Sequence, residues 1–155
     1  MKRAWVLGLM IAALSSTVLA QANRKANDKS KPEDQAPPPS VTITPATIEF
    51  KDQVTKRASK PQRVTVTNSG GQALYINSAA LDGDNKEDFV ISHDTCTGST
   101  IRAGKSCILD IVFTPAVTDK RKAVLMITDN AIDSPQRVTL SGNGINSADV
   151  PPHRR

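Results

Sequence analysis

Hydrophobic and polar residues alternate most regularly at residues 107–113, CILDIVF, where Cys107, Leu109, Ile111 and Phe113 share one side and Ile108, Asp110 and Val112 the other. A period of two is that of a strand, whose successive side chains leave opposite faces. Asp110 marks the wetter face, so the face holding Cys107 and Phe113 is the buried one. Pro115, which has no N–H to give a ladder, ends the run. This predicts a central strand. Shorter runs of the same texture surround it. Residues 41–44 and 47–50 are separated by Pro45, as in an edge strand that switches sheet. Residues 62–67 set Val64 and Val66 on one face and lead into the turn residues Asn68, Ser69, Gly70 and Gly71. Residues 73–81 carry Leu74 and Ile76, residues 89–92 are a short strand, residues 123–128 align Ala123, Leu125 and Ile127, and residues 137–141 align Val138 and Leu140. No segment has helical periodicity over three turns. Seven or so short strands within the 104 residues 41–144 predict an all-β antiparallel sandwich with one core.

Composition changes the picture at both ends. Lys2 and Arg3 precede an apolar stretch from Trp5 to Leu14, and small residues offer cleavage after Ala20 or Ala22. This is the pattern of a signal peptide over residues 1–22. The apolar stretch is shorter than the ~20 residues that span a bilayer, and no other is longer, so no transmembrane anchor is expected after cleavage. Residues 23–40, of mixed charge and ending in Pro37, Pro38 and Pro39, read as a flexible linker that stiffens towards polyproline II. Residues 145–155, with Pro151, Pro152 and two terminal arginines, read as a disordered tail. The mature chain is therefore expected in the periplasm or outside the cell.

Export decides how the cysteines are read. Cys96 and Cys107 are the only two, and thiols delivered to an oxidising compartment are expected to pair; two buried free thiols are the alternative. Two cysteines without a nearby histidine pair do not fill a zinc shell. Charge, by contrast, excludes little until it is located. The chain has 20 Lys and Arg against 15 Asp and Glu, but residues 41–144 hold 12 basic and 11 acidic residues. A nearly neutral domain whose aromatics, Phe50, Tyr75, Phe89 and Phe113, all sit in strand-like runs lacks the basic face and stacking platforms of a nucleic-acid binder. Those four are expected in the core.

Four features are candidates for chemistry. His93 and Asp94 are the one pairing with a catalytic look, but neighbours on a strand point apart, and a triad needs its base oriented towards a nucleophile. The loop of Asp82, Asp84, Asn85, Glu87 and Asp88 offers hard oxygens for calcium, yet without EF-hand spacing and with Lys86 among them. Lys120, Arg121 and Lys122 in a turn, with Arg102 and Lys105 in another loop, form a candidate basic patch for an anionic partner such as a cell-surface polymer. The fourth is Val41, Thr42, Ile43 and Thr44, an edge without blocking charge that suits strand addition by a partner. No metal ligand set or cofactor motif is found, and no cofactor is expected.

Several segments also resemble a known group. VTVTNSG (residues 64–70), DFVIS (88–92), GKSCILDIVFTP (104–115), AVLMITDN (123–130) and VTLSGNG (138–144) are similar to the choice-of-anchor D modules of bacterial exported proteins. These belong with the ASPM/Hydin-like (ASH) domains, related to the major sperm protein and PapD-like sandwiches. The resemblance implies an immunoglobulin-like sandwich of seven to nine strands and a role in contact between macromolecules, with no enzyme activity. Lys51 after Phe50, and the sequence Asp119-Lys120-Arg121-Lys122, stand where glycine or a small residue is common. The reading from sequence is thus a non-enzymatic exported module that binds a protein or envelope component. The alternative is a periplasmic chaperone that acts by strand addition.

Export should remove Trp5, the only tryptophan. Protein recovered from the producing cell should show no tryptophan emission and a mass beginning at Gln21 or Asn23; full-length chain in the membrane pellet would be the contrary result.

Overall fold

The structure, a computed structural model, describes residues 36–149. The expected signal peptide, residues 23–35 of the expected linker and residues 150–155 lie outside the described residues.

Among the described residues ten strands form two sheets. The first sheet has the order β1 (Val41–Thr44), β4 (Gln62–Asn68), β8 (Ser106–Phe113), β6 (Phe89–Asp94). The second has the order β2 (Thr47–Glu49), β10 (Gln136–Ile145), β9 (Asp119–Asp129), β5 (Leu74–Asp82), β7 (Thr100–Ile101), with β3 (Gln53–Val54) also on β10. Packed face to face, the sheets make the expected sandwich, and β8 is central with Leu109, Ile111 and Phe113 fully buried. Pairing is antiparallel except at β2 and β3, which run parallel to β10. That exception follows from Pro45. The chain descends β1 in the first sheet, turns at Pro45 and continues the same way as β2 in the second. Among the described residues the only helical turns are two short 3-10 segments, and no helix is long and apolar enough to cross a membrane.

The core closes most tightly at the end where β8 finishes. Phe50, which follows β2, packs on Phe89 and Phe113 with ring centroids 5.9 and 5.5 Å apart, and Phe89 stacks on Phe113 at 4.9 Å. Such pairs add about 0.5–1.5 kcal/mol each beyond the apolar area they bury. The Phe113 ring lies directly on β10: a Cβ on Gly142 would stand 2.4 Å from its Cε1 atom. Gly144 is under equal pressure from the Val117 carbonyl oxygen, at 2.2 Å from an added Cβ. The SGNG sequence is therefore strand whose missing side chains admit its neighbours.

Several boundaries differ from the sequence reading. The strand expected at residues 123–128 begins at Asp119, so Asp119, Lys120, Arg121 and Lys122 are not a turn. They pair with Gly144, Asn143, Gly142 and Ser141 of β10, and backbone pairing carries the strand on where side-chain pattern is absent. The two-residue strands β3 and β7 are too short to show a period and raise the count to ten. Strand β10 runs on to Ile145 and Ser147–Asp149 make a 3-10 turn, so ordered chain enters the expected tail. The end of the expected linker is ordered as well. Pro37 O accepts the N–H groups of Gly71 and Gln72 at 3.0 and 2.9 Å, and Ser40 O accepts that of Ser69 at 2.9 Å. Gly70 and Gly71 leave room for this, since a Cβ on either would meet Pro38 O or Pro37 Cδ at 2.2 or 2.6 Å. Tyr75, next to buried Leu74 and Ile76, faces outward and is half exposed, not core.

Gly142→Ala should destabilise the domain by about 1–3 kcal/mol, the range for overpacking. Combined with Phe113→Leu it should cost less than the sum of the two, because the smaller side chain frees the space. Urea unfolding of the four proteins checks this; strict additivity would show that the ring and the glycine do not compete.

Candidate functional site

The described residues place the sequence candidates at three separate locations. Strand β1 is one edge of the first sheet, with Val41 and Ile43 turned to the core and Thr42 and Thr44 to solvent. Among the described residues its strand partner is β4, in the register Val41 to Asn68 and Thr44 to Thr65. The outer face beside it is uncharged: Thr42 Oγ1 bonds Ser69 Oγ at 3.2 Å, and Thr67 and Ser106 share a hydroxyl bond at 2.8 Å. Other edges are poorer templates. Strand β6 is broken by a shift between Ile91 and His93 and carries His93 and Asp94, while β2 and β7 have three and two residues. Short length, a bulge and charge are the usual protections of an edge.

The basic patch does not assemble. Arg102 and Lys105 belong to the turn before β8, where Gly104 N bonds Asn68 O and Asn68 N bonds Lys105 O. Lys120, Arg121 and Lys122 lie on β9 beside the far end of β8, roughly 23 Å away at ~3.3 Å per residue of strand. Arg121 is also partly withdrawn from solvent, its side chain 20% exposed. It shares the inward face of β9 with Ala123 and Leu125 and ion-pairs through Nε with Asp88, whose side chain is 3% exposed. Asp88 further accepts the N–H of Ala116 at 3.0 Å, and its carbonyl accepts that of Thr114 at 2.7 Å. Removing either partner of a buried pair leaves the other uncompensated, at about 3–5 kcal/mol. This pair ties the first sheet to the second. Lys120 and Lys122 point outward, and the ion pairs among the described residues are Arg121–Asp88 and Arg63–Asp110.

The acidic loop is committed in the same way. Asn85 Oδ1 accepts Lys122 N–H at 2.9 Å, Asn85 N–H bonds Lys122 O at 3.2 Å, and Asp88 is used by Arg121. No group of three metal-ligating side chains forms among the described residues. His93 and Asp94 diverge. His93 stands across from Asp110 on β8, while Asp94 Oδ1 takes the N–H groups of Cys96 and Thr97 at 2.7 and 3.0 Å. Burial pushes the Asp94 carboxyl up, but those bonds, with His93 alongside, hold it below the usual range. Asp110 is held low by its hydrogen bonds from Arg63, at 2.8 and 3.0 Å. Ser92 and Ser99 hydroxyls are spent on the carbonyls of Asp110 and Cys96. Cys96 and Cys107 are joined, Cα to Cα 5.1 Å, and the bridge fastens the loop after β6 to the start of β8.

Sequence reasoning missed a cleft of about 370 Å³ lined by Glu49, Phe50, Lys120 to Lys122 and Ser141 to Asn143. It exists because β2 stops at Glu49 and β3 resumes at Gln53, which leaves Gly142 and Asn143 without a strand partner on that side. A second recess, about 480 Å³, continues from Glu49 and Phe50 towards Ser59 and Gln62. Nothing in the residue pattern signals such a gap; only the register does.

Asp129 is the one buried acid without full satisfaction. Its Oδ1 accepts Ala131 N–H at 2.7 Å, and Oδ2 has no partner among the described residues. Burial, with Asp133 nearby, pushes this carboxyl up. Because the folded group keeps its proton to higher pH than the unfolded one, its contribution to stability is complete below about pH 3.9 and is lost as pH rises through the folded value. Asp129→Asn keeps the Oδ1 acceptor and removes the charge. It should raise the Tm at pH 7, with the gain gone by about pH 3, where the wild-type group is protonated. Thermal unfolding at both values checks this, and a lower Tm at pH 7 would refute it.

No family profile and no curated protein matches the chain. Its fold matches solved structures. It superposes on the ASH/PapD-like domain 7 of human CEP192 with TM-score 0.53 and 15% identity, over 76% of this chain and 93% of that one. It is similar to the periplasmic chaperone SfaE with TM-score 0.51 and 17% identity, over 68% of this chain and 58% of that one. It is also similar to part of the secreted serine protease VesC of Vibrio cholerae, with TM-score 0.50 and 16% identity, over 62% of this chain and only 21% of that one. Two packed, mainly antiparallel sheets with a first strand that switches between them give this chain the immunoglobulin-like sandwich fold seen in those PapD-like and ASH domains.

Proposed function

We propose that the chain is an exported, non-enzymatic binding module that contacts a protein of the cell envelope or its surroundings by strand addition at β1. The observation that carries this reading is the edge itself: Val41, Thr42, Ile43 and Thr44 form an uncharged edge in unbroken register with β4, beside a neutral threonine face. A partner strand would gain main-chain hydrogen bonds there, and its alternate side chains would extend the layer of Val41 and Ile43. Export is supported by the N-terminal pattern of residues 1–22 and by the Cys96–Cys107 bond. The absence of catalysis is supported by how His93, Asp94, Ser92 and Ser99 are spent.

A second reading, a periplasmic assembly chaperone, is favoured by the likeness of the fold to SfaE. It differs in outcome: a client that aggregates without this chain and is rescued by it marks a chaperone, whereas stable binding without rescue marks a module.

Thr42→Lys with Thr44→Lys places two charges on the exposed side of the edge without touching the core. With the partner recovered from envelope extract and identified by mass, the double variant should bind it at least about tenfold more weakly, since charge on an edge blocks pairing. His93→Lys, on the opposite edge, should bind as wild type. Equal affinity of the β1 variant would remove strand addition there.

A further inference from the structure

Apart from β1, we infer that the cleft between β2, β10 and β9 is a binding site for an acidic saccharide, a polymer of uronic-acid type. The two lysines alternate on the exposed face of β9, Lys120 opposite Asn143 and Lys122 opposite Ser141. That spacing puts their stems about 7 Å apart along one side of the cleft. Arg121 between them also lines the cleft but spends its guanidinium on Asp88, which leaves the two lysine ammonium groups to meet an anion. Asp119, which opens the strand, is held at φ 100°. A non-glycine residue in that region is strained, and this conformation fixes the direction in which Lys120 starts along β9.

The rest of the lining selects among anions. Ser141 offers a hydroxyl, Asn143 an amide already oriented by its 2.9 Å bond to Asp52 Oδ1, and Glu49, across Ser141 from Lys122, a carboxylate. A site for a phosphate polymer has no use for Glu49, which repels every unit of such a chain. A uronate has one carboxylate for the lysines and several hydroxyls, which donate to Glu49 and exchange bonds with Ser141 and Asn143. The floor is backbone at Gly142, whose side-chain position points inward to Phe113, away from the solvent-facing parity of Ser141 and Asn143. An extended chain can therefore lie low against the sheet. The point charges of lysine, not the fork of arginine, suit anions presented at variable angle.

The test uses the full chain with polygalacturonate as probe, neutral galactan and polyphosphate as controls, and biolayer interferometry as readout. Polygalacturonate should bind and galactan should not, and about 1 M salt should abolish binding. Lys120→Gln with Lys122→Gln should weaken it at least about tenfold, while Arg102→Gln with Lys105→Gln, the same charge removed at the other end, should change it less than about twofold. Glu49→Ala gives opposite signs for the two explanations. It weakens binding if Glu49 accepts sugar hydroxyls and strengthens it if charge alone attracts the polymer. Circular dichroism confirms that each variant is folded. Equal losses from both lysine and arginine–lysine pairs, tighter binding by Glu49→Ala, preference for polyphosphate, or no binding of polygalacturonate would each overturn the assignment.

Discussion

The contact of the Phe113 ring with the bare backbone of Gly142 is the constraint from which the rest of this sandwich follows. Two sheets approach closely enough to exclude water at this end only because β10 offers no side chain where the ring lies. The ring then has Phe89 on its own sheet and Phe50 from the opposite strand as neighbours, so one residue joins both layers. Phe50 reaches that position by the alternation that already turns Ile48 inward and Glu49 outward, with its N–H still bonded to Ser141 O; the gap between β2 and β3 opens after it.

Electrostatics follows the same geometry. A strand that continues past the aromatic cluster must turn every second side chain towards the interior, whatever its chemistry. Arg121 has that position, and Asp88 at the entry to β6 is the group that makes it tolerable. The charges left over are those on the solvent-facing parity, Lys120 and Lys122. Arg63 and Asp110 on the outer face of the first sheet are a different case. Their bidentate geometry is good, but Arg63 is 60% exposed, and such pairs contribute little to stability in water.

How much was legible in the sequence depended on whether a residue's role was local. The period of two located β8, its buried face and its central place, and Pro45 announced the sheet switch, because alternation and a missing N–H act on the chain nearby. The cysteine pair was readable from compartment. The charged start of β9 was not, since DKRK has no apolar alternation and is held as strand by its partner β10. Nor was the order at Pro37 and Ser40, which depends on two glycines in a distant turn. The basic patch failed for a related reason: residue types that cluster in sequence space were assigned to one surface, when β8 holds them at opposite ends. Tyr75 was misplaced although its neighbours Leu74 and Ile76 already gave the parity that turns it outward. The cleft had no local signature at all.

The two surfaces differ in what a partner must supply. Strand β1 offers backbone groups, a recognition that accepts many sequences and depends on an extended partner conformation. The cleft offers side chains of fixed sign and spacing, which discriminate by chemistry and weaken with salt. They also lie on different sheets, β1 on the edge of the first and the cleft on the second, so occupancy of one does not bury the other. If both proposals hold, such a chain would hold a polymer and a protein together. If a flexible tether joined those two ligands, the second contact would become intramolecular and gain from effective concentration without any new interaction. The rigid aromatic clamp is what makes that arrangement workable, because it keeps both surfaces in fixed relation to one core.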